Sequence, residues 1–412
     1  MSPPSATMLQ QPKTADRRLS IGFINWAHAL DHFVMLIFPT VVIGLEVIYD
    51  RSYAELIALG TASFVAFGAF SLPAGWLADR WSRRNMMALF YGGCGISLIA
   101  AGLAANLMLL ALALTALGMF AAIYHPVGTA MLIEQATTRG RSMAFNGVCG
   151  NLGVALAAGI TAVLAAWLGW RAAFLVPGVI CLATALIYLW LIPDEGRKAS
   201  DRATVADVPL AAWMAATIFG LFMIVALTAG LVFHIATVAV PKIVDERLGT
   251  GVPLLLVGGL ATVIFMCGAL AQVAVGRLVE KFPVHILFAV VALLQFLGVL
   301  WTAYASGPAL IIALAVTLAA IYGQVTINDL VIARYTADAW RGRVYAVRYF
   351  LSFVVSGVAV AAIAFLYGRG GFGLVLGTTA VVALGIVLAS GAITLLVNGV
   401  EKERTRAVAP AE

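Results

Sequence analysis

Twelve long apolar stretches follow one another along this chain, and they constrain its fold more than any other feature. A bilayer core about 30 Å thick needs roughly 20 apolar residues per spanning helix. Irregular chain would leave peptide groups unpaired in lipid, so each stretch is predicted to be a helix. The predicted spans cover residues 21–45, 54–78, 86–104, 107–133, 142–166, 171–192, 211–240, 253–279, 284–303, 308–333, 343–367 and 372–397.

The composition excludes an ordinary water-soluble fold. Hydrophobic residues make up 63% of the 412 residues and charged residues 11%, with a mean hydropathy of +1.02. Soluble domains are roughly half apolar, and a larger apolar share cannot be hidden from water. We therefore predict an all-α polytopic membrane protein whose surroundings are the lipid bilayer.

Positive charge is concentrated on one side of the predicted spans, the side on which the first span begins, called the basic side below. It carries 20 of the 25 Lys and Arg residues, and the other side keeps Arg51, Arg171, Lys242, Arg247 and Arg369. Cytoplasmic loops carry such an excess, so we expect both termini in the cytoplasm of a bacterial-type inner membrane. The charge of +6 is thus a topology signal, and no nucleic-acid partner is expected.

The chain divides at a polar stretch between the sixth and seventh spans. Residues 193–210 are predicted to be a cytoplasmic linker between an N-terminal six-helix bundle, 21–192, and a C-terminal one, 211–398. The remaining residues, 1–20 and 399–412, are predicted to be cytoplasmic tails. The first span is too long and lacks the cleavage pattern of a signal peptide, so we expect it to be retained.

Local patterns recur at an offset near 202, which indicates two related halves. His32 and Pro39 return as His234 and Pro241, and an Arg-Gly-Arg triplet before the fifth span returns before the eleventh. Parallel repeats of this kind place a substrate site near the membrane centre, between the halves.

The loop after the second span resembles the signature loop of the major facilitator superfamily. It runs Gly-Trp-Leu-Ala-Asp-Arg-Trp-Ser-Arg-Arg from Gly75 to Arg84. The resemblance extends over essentially the whole chain and implies twelve transmembrane helices in two six-helix bundles that work by alternating access. It also implies a gating role for this loop, with Asp79 near the positive N-terminal end of the eleventh span. The predicted gating residues are Gly75, Asp79, Arg80, Arg83, Gly276 and Glu280.

Three shorter patterns resemble the fosmidomycin-resistance group of proton-driven drug exporters. They are His28 and Asp31 followed by Phe38 and Pro39, then Tyr124, His125 and Pro126, then Gly150, Asn151, Leu152 and Gly153. The resemblance implies proton-coupled export. The chain departs from that group at Val127, where a glutamate is usual.

Ionisable side chains inside the spans are candidates for function, because a charge at the bilayer centre costs about 2.5–3.5 kcal/mol. They are His28, Asp31, His32, His125, His234 and Asp329. On the first span, Asn25, His28 and His32 share a helical face, and Asp31 is expected beside the two histidines. A carboxylate near imidazoles can bring proton exchange into the physiological range. We predict that this group couples transport to protons.

The tenth span carries an unusual density of polar side chains, including Gln324, Asn328 and Asp329. This stretch is predicted to face protein or water. Asp329 either binds a proton or a cationic substrate, or pairs with Arg334 or Arg348.

Three prolines are predicted to kink or hinge helices: Pro39, Pro126 and Pro241. Glycines at positions 147, 150, 153 and 159 of the fifth span predict a close seam between domains. Glu134 is expected to pair with Arg139 or Arg141, and His285 is expected at the solvated membrane interface.

These observations predict a secondary transporter that moves a small organic solute, uses the proton gradient, needs no cofactor and functions as a monomer. We assign no catalytic residue and no metal site. A divalent-metal carrier using His28, His32, His125 and His234 with Asp31 and Asp329 is one alternative. An organic-anion carrier and a transport-inactive receptor are others. An intramembrane enzyme is disfavoured, because neither a zinc-hydrolase helix nor a serine nucleophile motif is found.

Overall fold

The chain is helical wherever the structure, a computed structural model, describes it. The described residues are 14–194, 212–335 and 338–408, and within these ranges there are fourteen helices and no strand. The helices are α1 (Thr14–Met35), α2 (Ile37–Tyr49), α3 (Tyr53–Ala58), α4 (Thr61–Arg80), α5 (Arg83–Gly102), α6 (Leu107–Ala121), α7 (Tyr124–Gln135), α8 (Arg139–Leu168), α9 (Ala172–Leu191), α10 (Ala212–Arg247), α11 (Leu254–Leu278), α12 (Val284–Tyr304), α13 (Gly307–Tyr335) and α14 (Asp338–Val408).

Eleven helical segments of the described ranges are long and apolar enough to cross a membrane. The last of them, Phe350–Asn398, has 49 residues, and at 1.5 Å per residue it extends about 74 Å, enough for two crossings. Gly370 and Gly371 break α14 with non-helical backbone angles, and the φ of +58° at Gly371 favours glycine. This segment therefore holds the eleventh and twelfth spans, and the predicted fold class is confirmed.

Large apolar side chains cover the outer surface of the helices. Val179, Val263 and Val381 are exposed near the middle of their spans, which a soluble monomer avoids on such a scale. Trp190 and Tyr304 are exposed at helix ends, where aromatic rings occupy the boundary between lipid and water. The chain is an integral, multi-pass membrane protein.

The two bundles meet along two helix pairs, α4 with the first limb of α14, and α8 with α11. A Cβ at Gly68 would lie 2.7 Å from the carbonyl oxygen of Phe353, so glycine is what allows α4 to come so close. In the other pair, the backbone N–H of Gly159 donates to Thr262 Oγ1 at 3.1 Å. Asn151 Nδ2 donates to Gln272 Oε1 at 2.5 Å, again across the two bundles.

The predicted glycine seam of the fifth span is divided between two neighbours. Gly159 faces α11 of the other bundle, but Gly150 and Gly153 face α1 of their own bundle. A Cβ at Gly153 would lie 2.1 Å from the carbonyl oxygen of Ala29, whereas Gly147 has open space around it. Half of this seam is therefore packing inside the N-terminal bundle and not a domain interface.

Two of the three predicted prolines lie just after a break in a span. The first span bends at Leu36, between α1 and α2, and Pro39 is the third residue of α2. The fourth span bends before α7, and Pro126 is the third residue of that helix. A proline in the first helical turn gives up no helical hydrogen bond. Pro241 instead lies inside α10, and a hinge motion at any of the three remains a prediction.

On the side opposite the basic side, polar contacts join the bundles. Lys242 of α10 forms an ion pair with Glu46 of α2 and a second one, at 2.9 Å, with Asp245 of its own helix. The ring of Tyr53 packs edge-on against Tyr367, with centroids 4.9 Å apart. We call Glu46, Lys242, Tyr53 and Tyr367 the seal, because their contacts join the two bundles on this side.

Candidate functional site

The predicted histidines of the first and fourth spans converge at the centre of the N-terminal bundle. His28 and His32 lie one turn apart on α1, and α7 brings His125 against them from the fourth span. The ring centroid of His28 is 5.0 Å from that of His32 and 5.4 Å from that of His125. With Asp31, these three residues are called the histidine cluster below.

Asn146 of α8 holds the cluster in place through three hydrogen bonds. Its backbone carbonyl lies 2.8 Å from Nδ1 of His28. Its side chain donates to Asn25 Oδ1 and accepts from the hydroxyl of Tyr124, both at 3.0 Å. The sequence analysis did not single out Asn146, although an amide in an apolar span was a usable signal. The prediction that Asn25 shares the site is consistent with this chain of contacts.

Gly150 makes room for the cluster. A Cβ there would lie 2.6 Å from the ring of His28, so a larger residue would displace the imidazole. Tyr124 stacks on the other side of that ring at a centroid distance of 4.8 Å. His28 is thus held between two helices with its Nε2 directed at His32, 3.2 Å from Nε2 of that residue.

Asp31 points to the fourth span. Its Oδ2 lies 3.2 Å from His125 Nε2, whereas the sequence had placed the carboxylate beside His28 and His32. Asp31 is fully buried, and within the described part of the chain neither of its oxygens has a hydrogen-bond partner. The Nε2 of His125 is likewise unpartnered, because the two groups are close but poorly aligned for a hydrogen bond. A charge this deep without hydrogen bonds is costly.

Aromatic side chains from both bundles wall the cluster. Phe353 of α14 lies 4.8 Å from His125, and Phe67 of α4 lies 6.0 Å from it, measured between ring centroids. The two phenylalanines pack edge-on at 5.1 Å. His234 of α10 is half-buried and interacts electrostatically with His32 and His125. Side chains of both bundles therefore surround the cluster, and a substrate site at this place remains a prediction.

A cleft of about 370 Å³ lies on the basic side of the N-terminal bundle, between α1 and the start of α8. It is lined by Ile21, Asn25, Thr138, Arg141, Ser142 and Phe145. Asn25 lines the cleft and also accepts a hydrogen bond from Asn146, whose backbone carbonyl contacts His28. Arg141 is exposed and gives the entrance a positive charge.

The predicted polar residues of the tenth span lie apart from the histidines. Gln324 and Asn328 are buried, and among the described residues both amide atoms of Gln324 and Oδ1 of Asn328 lack a partner. Gln295 of α12, which the sequence analysis did not single out, has the same property. The side chain of Asp329, like that of Arg334, falls outside the described part, so both hypotheses about Asp329 remain predictions.

The signature loop forms its ion pairs within the N-terminal bundle. Arg83 donates to Asp79 at 3.1 Å and to Glu134 at 2.9 Å. Glu134 was expected to pair with Arg139 or Arg141; it pairs with Arg83 and not with Arg141, and the side chain of Arg139 falls outside the described part. Arg80 lies over the ring of Trp76. The gating role of these residues stays a prediction, as it does for Glu280.

Two further loop glycines differ in their surroundings. A Cβ at Gly75 would lie 3.2 Å from Pro126, while Gly276, its counterpart, has open space. His285 was expected at the solvated interface but is buried, with its Nε2 2.9 Å from Asn398 Oδ1. His285 lies at one end of the span, but α14 covers its ring, and Asn398 of α14 is its hydrogen-bond partner.

Comparison with known families agrees with this architecture. The sequence profile of the Major Facilitator Superfamily matches residues 21–360. The chain belongs to the major facilitator superfamily. Among solved members, a bacterial homologue of the human lysosomal transporter Spinster, in an inward-facing and occupied conformation, superposes with a TM-score of 0.77. It shares 14% sequence identity, and the match covers 94% of this chain and 98% of that one.

Curated members of the superfamily match in part. A probable 4-methylmuconolactone transporter of Cupriavidus pinatubonensis is 31% identical over 39% of this chain and 39% of its own length. A 4-hydroxybenzoate transporter of Pseudomonas aeruginosa is 32% identical over 36% of this chain and 34% of its own length. A gallate transporter of Pseudomonas putida is 28% identical over 36% and 33%. The chain thus matches about a third to two fifths of the length of these relatives.

Proposed function

We propose that this superfamily member transports a small organic anion together with protons, driven by the proton gradient. The observation that carries the proposal is the histidine cluster, in which three partly buried imidazoles and the buried Asp31 lie beside Phe67 and Phe353. Imidazoles can donate hydrogen bonds to a carboxylate, and a protonated imidazole neutralises its charge. The phenylalanine rings suit an aromatic or otherwise flat apolar body.

The same side chains account for the coupling of anion transport to proton transport. An anion bound beside the histidines favours their protonated form, and by linkage a protonated cluster binds the anion more tightly. Proton and anion therefore occupy the site together and cross the membrane in the same direction. When no anion is bound, Asp31, buried against His125, can form an ion pair with the protonated imidazole.

Two further observations support an organic anion. Arg141 lies at the cleft on the basic side, where its charge raises the local concentration of anions. The relatives named for gallate and 4-hydroxybenzoate carry aromatic acids in their names. Because these relatives match only part of the chain, they support a class of substrate and not an individual substrate.

We propose uptake as the direction. The basic side is taken as cytoplasmic, so the seal closes the outer face and the cleft opens inward. The resemblance to the fosmidomycin-resistance group implied export, which requires protons and substrate to compete for one site. The histidine cluster favours joint binding instead, and Val127 replaces the glutamate usual in that group.

The test is proton movement in proteoliposomes that enclose a pH-sensitive dye. An inward gradient of benzoate, 4-hydroxybenzoate or gallate should acidify the interior, while neutral benzamide should not. Asp31→Asn and His32→Ala should abolish the signal, because each removes part of the proton-binding group. His285→Gln, a histidine change away from the site, should leave it intact.

The sign of the signal decides between mechanisms. Interior alkalinisation on anion entry would show exchange and would support export. Anion flux without any proton signal, or an unchanged signal in both site variants, would sink the proposed role of the histidine cluster.

A further inference from the structure

We infer that His28, His32 and His125 form a binding site for a divalent late transition metal such as Zn²⁺. One nitrogen atom of each histidine lies within 4.8 Å of the other two. This inference concerns the same cluster as the proposed function but does not depend on which solute is transported.

The spacing of the first two ligands fits a metal. Ligands of a tetrahedral Zn²⁺, each about 2.0–2.1 Å from the ion, stand about 3.3 Å apart. The Nε2 atoms of His28 and His32 are 3.2 Å apart. Two imidazole nitrogens at that distance need a proton between them, and a metal ion can take its place.

The ring of His28 is already oriented as a ligand. Its Nδ1 lies 2.8 Å from the carbonyl oxygen of Asn146, so Nδ1 carries the hydrogen and donates it. This assignment leaves the lone pair of Nε2 facing His32. Ligating histidines are characteristically held by such a bond from their second nitrogen.

Asp31 supplies the charge that a cation needs. It is fully buried, both of its oxygens lack a hydrogen-bond partner among the described residues, and Nε2 of His125 beside it is also unpartnered. Three neutral imidazoles and one carboxylate carry a single negative charge. A divalent ion would reverse that charge to a single positive one, and it would relieve the isolation of the carboxylate.

The donor set selects among metals. Three imidazole nitrogens suit Zn²⁺, Co²⁺, Ni²⁺ or Cu²⁺, whereas Mg²⁺ and Ca²⁺ require oxygen ligands. Three protein ligands leave a fourth position for water or an anion. The three histidine side chains retain some solvent exposure. All three lie on α1 and α7, so the site is contained in one bundle.

The experiment is a metal titration of the full-length protein, purified in detergent with an affinity tag free of histidine. Co²⁺ should bind with one equivalent and give the intense visible absorption of a tetrahedral site, and Zn²⁺ should displace it. His32→Ala and His125→Ala should abolish the band. Asp31→Asn should weaken binding roughly 10–100-fold, as the loss of an orienting partner does. His285→Gln should bind as the wild type does.

Thermal unfolding of each variant without metal identifies variants that merely fail to fold. For folded variants, an unchanged Co²⁺ band in His32→Ala, or displacement of Co²⁺ by Mg²⁺, would overturn the inference. The titration measures metal binding and not transport. The metal site can therefore be confirmed while the proposed anion uptake is refuted, and the uptake can be confirmed while the metal site is refuted.

Discussion

Gly150 shows how one missing methyl group positions a functional side chain. The ring of His28 fills the space that a Cβ at this position of α8 would occupy, at 2.6 Å. On its other face the ring stacks on Tyr124, and its Nδ1 bonds to Asn146. The orientation of the imidazole is therefore set by its neighbours on α7 and α8 as much as by its own helix.

Gly150→Ala should move His28 out of line with His32 and so reduce both proton-coupled anion flux and Co²⁺ affinity. Insertion of a methyl group into a packed interior costs about 1–3 kcal/mol, which a thermal-shift assay in detergent will register. Gly147→Ala, one turn earlier with open space around it, is the matched control. Equal behaviour of the two variants would contradict the positioning role of Gly150.

The sequence singled out all four members of the histidine cluster, because ionisable groups in apolar spans stand out against their surroundings. The contact of Asp31 with His125 was not predicted, since helical spacing describes neighbours on one helix and His125 comes from another. Asn146 was missed because an amide carries no charge to mark it. His285 was misjudged because its burial depends on α14, more than a hundred residues away in the chain.

At the scale of helices, the seal is what holds the bundles together on the side opposite the basic side. Lys242 is nearly buried and lies against three carboxylates, of which Glu46 belongs to the other bundle. Removing one partner of a buried ion pair leaves the other uncompensated, which is strongly unfavourable. The seal therefore stabilises the state in which this side is closed.

Glu46→Gln should shift the population toward the state open on that side. The reporter is the labelling of Leu45→Cys, a fully buried position, by a membrane-impermeant maleimide in a background without the four native cysteines. Labelling should become several-fold faster with Glu46→Gln. Glu55→Gln, whose partner Arg51 lies in the same bundle, should leave the rate unchanged. A rate equally raised by both changes would argue against the seal as a cross-bundle latch.

Helix positions followed from hydropathy, since lipid permits little besides helices across its core. The bends before α2 and α7 accompany Pro39 and Pro126, which the sequence displays directly. The contacts of the seal could not be predicted from the sequence. Lys242 entered the sequence analysis only as one of the few basic residues outside the basic side. Its partner Glu46 became visible when the packing of α2 against α10 was known.

At the scale of the whole molecule, charge distribution predicts which face meets the cytoplasm. Gly249 lies between α10 and α11 with open space around it, and Lys281 is exposed between α11 and α12. In intact cells, an impermeant maleimide should label Gly249→Cys. It should label Lys281→Cys only after the membrane has been permeabilised. The opposite pattern would invert the predicted topology and with it the proposed direction of transport.

The two halves contribute unequally to the central cavity. The N-terminal bundle supplies the histidine cluster and its hydrogen bonds, while Phe353 and His234 come from the C-terminal bundle. Under the proposed function, mutations in the second half can therefore change the side chains that contact the substrate while the proton-binding group of the first half stays the same. A transporter built from two repeats in this way can change its substrate through mutations in one half, while the residues that use the proton gradient in the other half stay the same.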